Sequence, residues 1–155
     1  MARADSVLMR KAGVERTGDE EEFVSVRVGE QLFGISVMII EDVLRHQPAA
    51  HIPLAPPVIS GLLNLRGRIV TVMDMRLRLG LMPSTVKRMH VVVEHDNELY
   101  SLLVDTVGDV LGLSSDRFEG PPANMEERWK HMVSRVYSLE DELLIVLDIP
   151  ALLKI

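Results

Sequence analysis

The sequence contains no cysteine among its 155 residues. Disulfides and thiolate zinc sites are therefore excluded, and a reducing compartment is favoured. No apolar run approaches the roughly 20 residues that a membrane-spanning helix needs. The N-terminal region lacks the apolar stretch of a secretory signal peptide, so we expect a cytoplasmic protein. The net charge of −6 gives no overall attraction to nucleic acid or to anionic lipid.

The sequence also lacks the motifs that carry catalysis. It has no glycine-rich phosphate loop, no HExxH motif and no nucleophile elbow. None of the five histidines belongs to a zinc-ligand pattern, and His46 and His51 are separated by a loop rather than by one helical turn. We therefore expect a protein that is not an enzyme and that holds neither a cofactor nor a metal ion.

What the sequence does contain is a series of short apolar stretches separated by turn residues. Residues 1–21 precede them and are polar, charged and without periodicity, which predicts a flexible tail. The apolar stretches predict two hairpins and two further strands that are buried on both faces. The predicted strands are 23–28, 32–35, 69–73, 90–94, 98–104 and 143–147.

These stretches occur twice in the chain. The aligned pairs of segments are 23–44 with 90–111 and 58–75 with 132–149. We therefore predict two diverged copies of one β-rich unit, at about 23–88 and 89–155. Each copy has about five short strands, which is enough for a small closed or half-closed barrel subdomain. Exchange of a strand or helix between the two subdomains is left open.

In both copies an aspartate ends a strand and precedes a short amphipathic segment. Asp74 precedes residues 75–79, and Asp148 precedes residues 149–153. Aspartate is a preferred N-cap, because its carboxylate accepts hydrogen bonds from the unpaired N–H groups of the first helical turn. We therefore predict that Asp74 and Asp148 are structural caps rather than catalytic acids.

One turn differs in charge between the copies. Arg66-Gly67-Arg68 aligns with Glu140-Asp141-Glu142. Because packing cannot require both signs, both turns are predicted to face solvent. Two interpretations remain open. In the first, exposed charges change freely during evolution, because each contributes little to stability. In the second, opposite charges on related surfaces suit head-to-tail docking with a partner built on the same plan.

The segment 36–44 is strongly apolar and follows a predicted strand. We interpret it as a short connecting helix or strand that covers a barrel end. On a helix, one face would hold Val37, Ile40 and Leu44, and Met38, Ile39 and Glu41 would point elsewhere. A partly exposed apolar group beside a carboxylate is typical of a groove that binds a partner helix.

A nucleic-acid-binding barrel is the alternative to a docking protein. Six basic residues and one acid lie between Arg66 and Arg88. Proteins that bind single strands interleave such charges with stacking aromatic residues, and this segment has none. A small hydrolase of unrecognised type is the third candidate.

Several motifs resemble those of the CheW-like domain family. The segment from Asn64 to Asp74 resembles the family signature NLRG-x-I-x-P-V-x-D-L, and residues 34–43 resemble its first-half motif. Residues 104–111 resemble the second-half motif, and residues 144–149 resemble the terminal strand. Together the resemblance covers the chain from about residue 23 to residue 155.

The resemblance implies an all-β-dominated fold with a few short helices. It implies two intertwined SH3-like five-stranded barrels around a shared core. It also implies a non-catalytic adaptor that links chemoreceptors to the histidine kinase CheA. Such adaptors bind the regulatory domain of CheA, and they bind receptor tip helices in the groove between the subdomains. Ring-type assembly with other CheW-like domains is a further expectation.

The resemblance also assigns partner-binding positions to this chain. Glu41 and Arg66 match contact positions, with Arg68 beside them, and Ile39 and Gly61 match positions where side-chain size matters for contacts. The chain departs from the family pattern at three positions: Thr71 replaces a proline, Arg135 replaces a glycine, and Tyr137 replaces a small residue. We therefore expect Arg135 to alter partner choice, as in an adaptor dedicated to a specialised system such as surface motility.

Overall fold

The structure is a computed structural model that describes residues 20–84 and 86–155. It is built mainly from ten strands, so the predicted all-β-dominated class is confirmed. The strands are β1 (Glu20–Val28), β2 (Gln31–Ser36), β3 (Ile40–Leu44), β4 (Ile59–Leu65), β5 (Arg68–Asp74), β6 (Met89–His95), β7 (Glu98–Val104), β8 (Thr106–Ser114), β9 (Val133–Ser138) and β10 (Leu143–Leu147). Three one-turn helices accompany them: α1 (Met75–Arg78), α2 (Glu127–Lys130) and α3 (Ile149–Leu152).

All six predicted strands lie within observed strands. The predicted tail falls on residues 1–19, which are outside the described part of the chain, and on two residues that are inside it. Glu20 and Glu21 belong to β1, where they pair with Ser114 and Leu113 of β8. The first strand therefore begins before the boundary that composition suggested, because its first residues gain backbone partners in β8.

The ten strands form two five-stranded sheets. The first sheet has the order β8-β1-β2-β10-β9, and the second has the order β3-β6-β7-β5-β4. Each sheet therefore combines two strands from one sequence copy with three from the other. The sequence boundary near residue 88 separates the copies but does not separate the sheets, and the exchange that the sequence left open is reciprocal.

The irregularities of the sheets follow the same repeat. The β1–β8 pairing shifts register between Val24 and Val26, and the equivalent β3–β6 pairing shifts between Ile40 and Asp42. A second shift occurs between β4 and β5 and recurs between β9 and β10. A β-bulge adds one residue and bends its strand. Both copies thus bend their strands at matching positions, which supports the predicted duplication.

Three apolar clusters hold the molecule together. The largest lies between the sheets and draws on both, with fully buried members that include Val26, Phe33, Ile40, Val91 and Leu102. One smaller cluster lies inside the first sheet, around Phe23, Leu32, Tyr137, Leu144 and Val146. Another lies inside the second sheet, around Leu63, Val70, Val72, Val92, Leu99 and Leu103. Neighbouring residues of a strand point to opposite faces. An uninterrupted apolar run therefore contributes alternate side chains to the smaller cluster of its own sheet, called the inner cluster, and to the large cluster between the sheets, called the shared core.

Each sheet curls until its two edge strands come close. In the second sheet, Arg66 at the end of β4 forms an ion pair of 2.8 Å with Asp42 of β3. In the first sheet, the Tyr137 hydroxyl of β9 donates a hydrogen bond of 3.0 Å to the Ser114 carbonyl of β8. Side chains and the inner cluster of each sheet make the contacts between its edge strands. Closure into SH3-like barrels stays a prediction.

The segment 36–44 is a 3-10 turn over Val37–Ile39 followed by strand β3. Val37 and Ile40 are buried, Met38 is 57% exposed, and Ile39 packs partly against the shared core. The predicted division into inward and outward residues is therefore correct for Val37, Ile40 and Met38 and wrong for Ile39, and a turn and a strand produce it instead of a helical face.

Candidate functional site

The β4–β5 turn is a tight two-residue hairpin at the surface. Arg66 and Gly67 have φ values of +53° and +85°, as a type I′ turn requires. The Asn64 side-chain oxygen accepts a hydrogen bond of 2.9 Å from the Gly67 N–H. Arg66, Gly67 and Arg68 are exposed, as predicted, and the turn projects both arginines from a fixed backbone.

The two arginines of this turn differ in their intramolecular contacts. Arg66 forms its ion pair with Asp42, whose side chain is only 6% exposed, yet the arginine side chain remains 73% exposed. Arg68 Nη2 lies 3.5 Å from the Asn97 carbonyl oxygen. Arg66 therefore serves the fold through Asp42 and can also contact a partner, while Arg68 has a weaker role in the fold.

The equivalent turn between β9 and β10 carries the opposite charge. Glu140 and Asp141 are exposed, whereas Glu142 forms a bidentate ion pair with Arg27 at 2.7 and 3.0 Å. The hydrogen bonds from Arg27 lower the pKa of the Glu142 carboxyl below its usual value. Charge inversion between the two turns is thus retained at the surface, and both of its interpretations remain open.

Ile39 and Glu41 lie at the start of β3, next to the arginine turn. Glu41 is half-buried and precedes Asp42, the residue that pairs with Arg66. The structure therefore brings Glu41 and Arg66 to one region of the second sheet. Ile39 is held against the shared core, and Met38 before it presents its side chain to solvent.

Gly61 occupies a position that excludes any side chain. Its φ is +154°, and a Cβ atom there would lie 2.4 Å from the Ala50 carbonyl oxygen. The segment at Ala50 approaches so closely because its backbone pairs with Leu62 of β4. A side chain at position 61 would therefore disturb the fold itself, because it would displace the β3–β4 loop.

Arg135, which the alignment places opposite Gly61, is largely enclosed by the protein itself. Its side chain is 20% exposed and forms an ion pair of 2.7 Å with Glu21. The guanidinium carbon lies 5.4 to 6.0 Å from the ring centres of Phe23, Phe118 and Tyr137. This arginine cage joins β1, β9 and the loop after β8, so the role of Arg135 in the fold is clear and its effect on partner choice stays a prediction.

A shallow groove lies between the β1–β2 turn and the segments around α1 and α2. It has a volume of about 450 Å³, and its apolar lining includes Leu81, Met82 and Trp129. Glu30 also lines this groove, as does Arg76, whose charge is paired with Asp105 at 2.7 Å. Trp129 is fixed there because its indole N–H donates a hydrogen bond of 2.9 Å to the Leu79 carbonyl.

The two predicted caps are present in the structure. Asp74 accepts a hydrogen bond of 3.3 Å from the Leu77 N–H, and Asp148 accepts one of 3.2 Å from the Ala151 N–H. Asp74 has a second role that the sequence did not indicate. Its carboxylate forms a nearly buried bidentate pair with Arg88, at 2.9 and 3.0 Å.

A buried histidine also escaped the sequence analysis. His90 is 1% exposed, and its Nδ1 lies 2.7 Å from the Ser101 hydroxyl. Its Nε2 lies 3.3 Å from the Gln47 carbonyl, which links β6 to the β3–β4 loop. Burial lowers the pKa of His90, since the charged imidazolium would lose its hydration. The uninterrupted apolar residues after His90 were its only signal of burial.

Within residues 20–84 and 86–155, no group of three or more histidine and carboxylate side chains could hold a metal ion. No helix in the same ranges is long and apolar enough to cross a membrane.

Comparison with known proteins agrees with this architecture. The family model of the CheW-like domain matches residues 22–155. The chemotaxis protein CheW of Rhizobium meliloti (strain 1021) is 27% identical over 143 residues, which cover 91% of this chain and 92% of that protein. The CheW of Bacillus subtilis (strain 168) is 26% identical over 136 residues, with 86% of each chain covered. The scaffolding protein TtCheW from Thermoanaerobacter tengcongensis has the same fold, with a TM-score of 0.80 at 24% identity over 88% of this chain and 94% of that one.

The chain therefore belongs to the CheW-like domain family. Its resemblance to the family, which the NLRG segment carries, is confirmed over residues 22–155.

Proposed function

We propose that this protein is a non-catalytic signalling adaptor that couples chemoreceptors to the histidine kinase CheA. The match of the CheW-like family model to residues 22–155 carries the proposal. The similarity to chemotaxis proteins named CheW, over most of both chains, points to the same role. The proposed mechanism is docking in the cytoplasm, at receptor arrays, without a chemical step.

The exposed arginine turn is the proposed contact for the regulatory domain of CheA. Arg66 and Arg68 project from a rigid hairpin, and Glu41 and Ile39 lie beside Asp42, the partner of Arg66. Rigid presentation reduces the entropy that binding must offset, which favours such a turn as a docking element. The acidic turn at Glu140 and Asp141 would face the next CheW-like domain in a ring-type assembly.

The groove beside Trp129 is the proposed seat of a receptor tip helix. Its apolar residues would pack against one face of the helix, and Glu30 would orient a charged position beside that face. Such a groove is consistent with an adaptor that holds two partners at separate surfaces.

The structure weakens the alternative of nucleic-acid binding. Three of the six basic residues between Arg66 and Arg88 are engaged within the protein. Arg76 pairs with Asp105 at 2.7 Å, and Arg88 pairs with Asp74. Arg78 donates to the carbonyls of Leu152 and Lys154 at 2.8 and 2.9 Å. The basic run of the sequence therefore does not form one continuous basic patch.

Charge reversal at Arg68 tests the proposed contact with the kinase. Arg68→Glu disturbs the fold less than charge reversal at Arg66, because a glutamate at position 66 would face the nearly buried Asp42. We expect Arg68→Glu to weaken binding of the CheA regulatory domain at least tenfold in isothermal titration calorimetry. The thermal midpoint should stay within a degree or two, since an exposed charge contributes little to stability.

Arg117→Glu, at an exposed arginine in the loop after β8, is the matched control and should leave the affinity unchanged. Equal affinity of wild type and Arg68→Glu for the kinase domain would reject this contact. Absence of any binding of the wild-type protein to CheA or to a receptor fragment would reject the proposed function itself.

A further inference from the structure

The two sheets differ in charge at one pair of equivalent positions. In the second sheet, Arg66 after β4 pairs with Asp42 of β3 at 2.8 Å and so links the two edge strands. The alignment of the two sequence copies places Asp109 of β8 at the position of Asp42, and Glu140 at the position of Arg66. Because Asp109 and Glu140 are both acidic, the first sheet cannot form the ion pair that links the edge strands of the second.

The neighbouring leucines support this equivalence in the structure. Leu44 and Leu65 pack partly against the inner cluster of the second sheet. Their aligned counterparts, Leu111 and Leu139, pack partly against the inner cluster of the first sheet. Both sites therefore have similar apolar surroundings, but one site contains an ion pair and the other contains two carboxylates.

A groove of about 290 Å³ lies at this place in the first sheet. Its lining includes Asp109 together with Leu32, Leu111 and Leu139. Asp109 is exposed, and so is Glu140, which follows Leu139 in the turn between β9 and β10. The groove therefore presents leucine side chains next to carboxylates.

The charges around this groove favour a cation. Arg27 also lines the groove, but its guanidinium is held by Glu142 in a bidentate pair at 2.7 and 3.0 Å. That pair is neutral as a whole, so Asp109, Glu140 and Asp141 give the site a surplus of negative charge. An arginine side chain suits such a site, because its apolar stem packs on leucines while its guanidinium binds carboxylates.

We propose that this groove binds Arg68 of a second copy of the chain. The chain itself carries both complementary surfaces, the acidic groove and the exposed basic turn. Arg68 is the arginine of that turn with the weaker contact to its own chain, at 3.5 Å from the Asn97 carbonyl oxygen. The contact runs head to tail, because the turn belongs to the second sheet of one molecule and the groove to the first sheet of the next. The role of this contact, to hold one adaptor to another, rests on the proposed function.

Self-association, measured by sedimentation velocity, tests this contact. We expect a dissociation constant on the order of 100 μM in low salt, since small contacts between proteins are transient. Added salt should weaken the association, because it screens exposed charges. Arg68→Glu removes the arginine, and Glu140→Arg supplies one to the groove from its own chain, as Arg66 does in the second sheet. Each variant alone should associate at least tenfold more weakly than the wild type.

A mixture of the two variants separates this contact from other causes of association. Glu140→Arg still carries Arg68, and Arg68→Glu still carries the acidic groove, so one contact of the wild-type kind remains between them. The mixture should therefore associate with the affinity of the wild-type contact. Glu127→Arg is the matched control, because Glu127 is an exposed acid on α2 outside the groove, and it should associate as the wild type does.

Four outcomes would reject the contact. They are a wild-type protein that stays monomeric at about ten times that concentration, where mass action should associate most molecules, a single variant that associates as strongly as the wild type, a mixture that stays monomeric, and an equal loss in Glu127→Arg. The last would show that association follows the net charge of the molecule.

Titration with the CheA regulatory domain keeps this result separate from the proposed function. Glu140→Arg should bind the kinase domain as the wild type does, because it retains Arg66 and Arg68. A parallel loss of kinase binding would assign the groove to the kinase and reject the second copy as its occupant. If the wild type binds CheA without associating with itself, the contact fails and the proposed function stands. If it associates with itself but binds neither CheA nor a receptor fragment, the proposed function fails and the contact stands.

Discussion

Replacing Arg135 by glycine, the residue at the equivalent position of the first copy, should destabilise this protein substantially. The arginine cage encloses the guanidinium with three of the chain's six aromatic side chains and pairs it with Glu21. Arg135→Gly removes all of these contacts at once. The first sheet would lose a link between its outer strand β9, its strand β1 and the loop that contains Phe118.

Three contributions set the magnitude of this effect. A desolvated cation on aromatic faces contributes about 1–2 kcal/mol. The Glu21 carboxylate, whose side chain is 22% exposed, would lose its charged partner at a cost of about 1 kcal/mol. Glycine inside a strand adds about 0.5–1 kcal/mol through the entropy of the unfolded chain. We therefore expect a decrease of about 3 kcal/mol in the free energy of unfolding.

Urea denaturation, followed by circular dichroism, measures this quantity directly. The dependence of the unfolding free energy on urea should keep its slope, because the same surface becomes exposed. A double-mutant cycle of Arg135→Met with Glu21→Gln should return a coupling of about 1 kcal/mol, since these residues touch. A decrease below about 1 kcal/mol for Arg135→Gly, with no coupling, would show that the cage contributes little and that Arg135 acts mainly at the surface.

Two further predictions test other parts of the structure. Asp148→Ala removes a cap alone and should cost about 1 kcal/mol. Asp74→Ala also leaves a nearly buried arginine unpaired and should cost about 3 kcal/mol. Equal losses in urea denaturation would contradict the difference between these equivalent residues. Burial lowers the pKa of His90 in the folded state below its usual 6.5, so the neutral ring stabilises the fold above that pH. Stability should fall as the pH decreases below 6.5, and His90→Gln should flatten that slope; an unchanged slope would exclude His90 as its source.

Much of this fold could be predicted because the local patterns are strong. The uninterrupted apolar residues from 143 to 147 indicated a strand buried on both faces, and β10 does contribute to an inner cluster and to the shared core. The aspartates at 74 and 148 indicated caps because the aspartate carboxylate satisfies the first turn of a helix. The duplication then extended each local inference to a second place in the chain.

The features that the sequence could not predict depend on contacts between residues that are far apart in the chain. The same apolar faces would be buried whether β1 and β2 joined strands of their own copy or those of the other, so periodicity could not reveal the exchange. Arg135 aligns with a glycine, and the sequence alone indicates only a change at the surface, because its aromatic neighbours Phe23 and Phe118 are far away in the sequence. The left-handed backbone of Leu54, with a φ of +66°, left no sequence signal beyond the prolines of its loop.

The reciprocal exchange of strands means that neither copy has a fold of its own. A fragment that ends at residue 88 would hold β1 and β2 of one sheet and β3, β4 and β5 of the other, and would complete neither. A single copy could fill both sheets only by associating with a second molecule, and its folding would then depend on concentration. Fusion of two copies turns that association into an intramolecular step, so the adaptor can fold even where very few molecules are present.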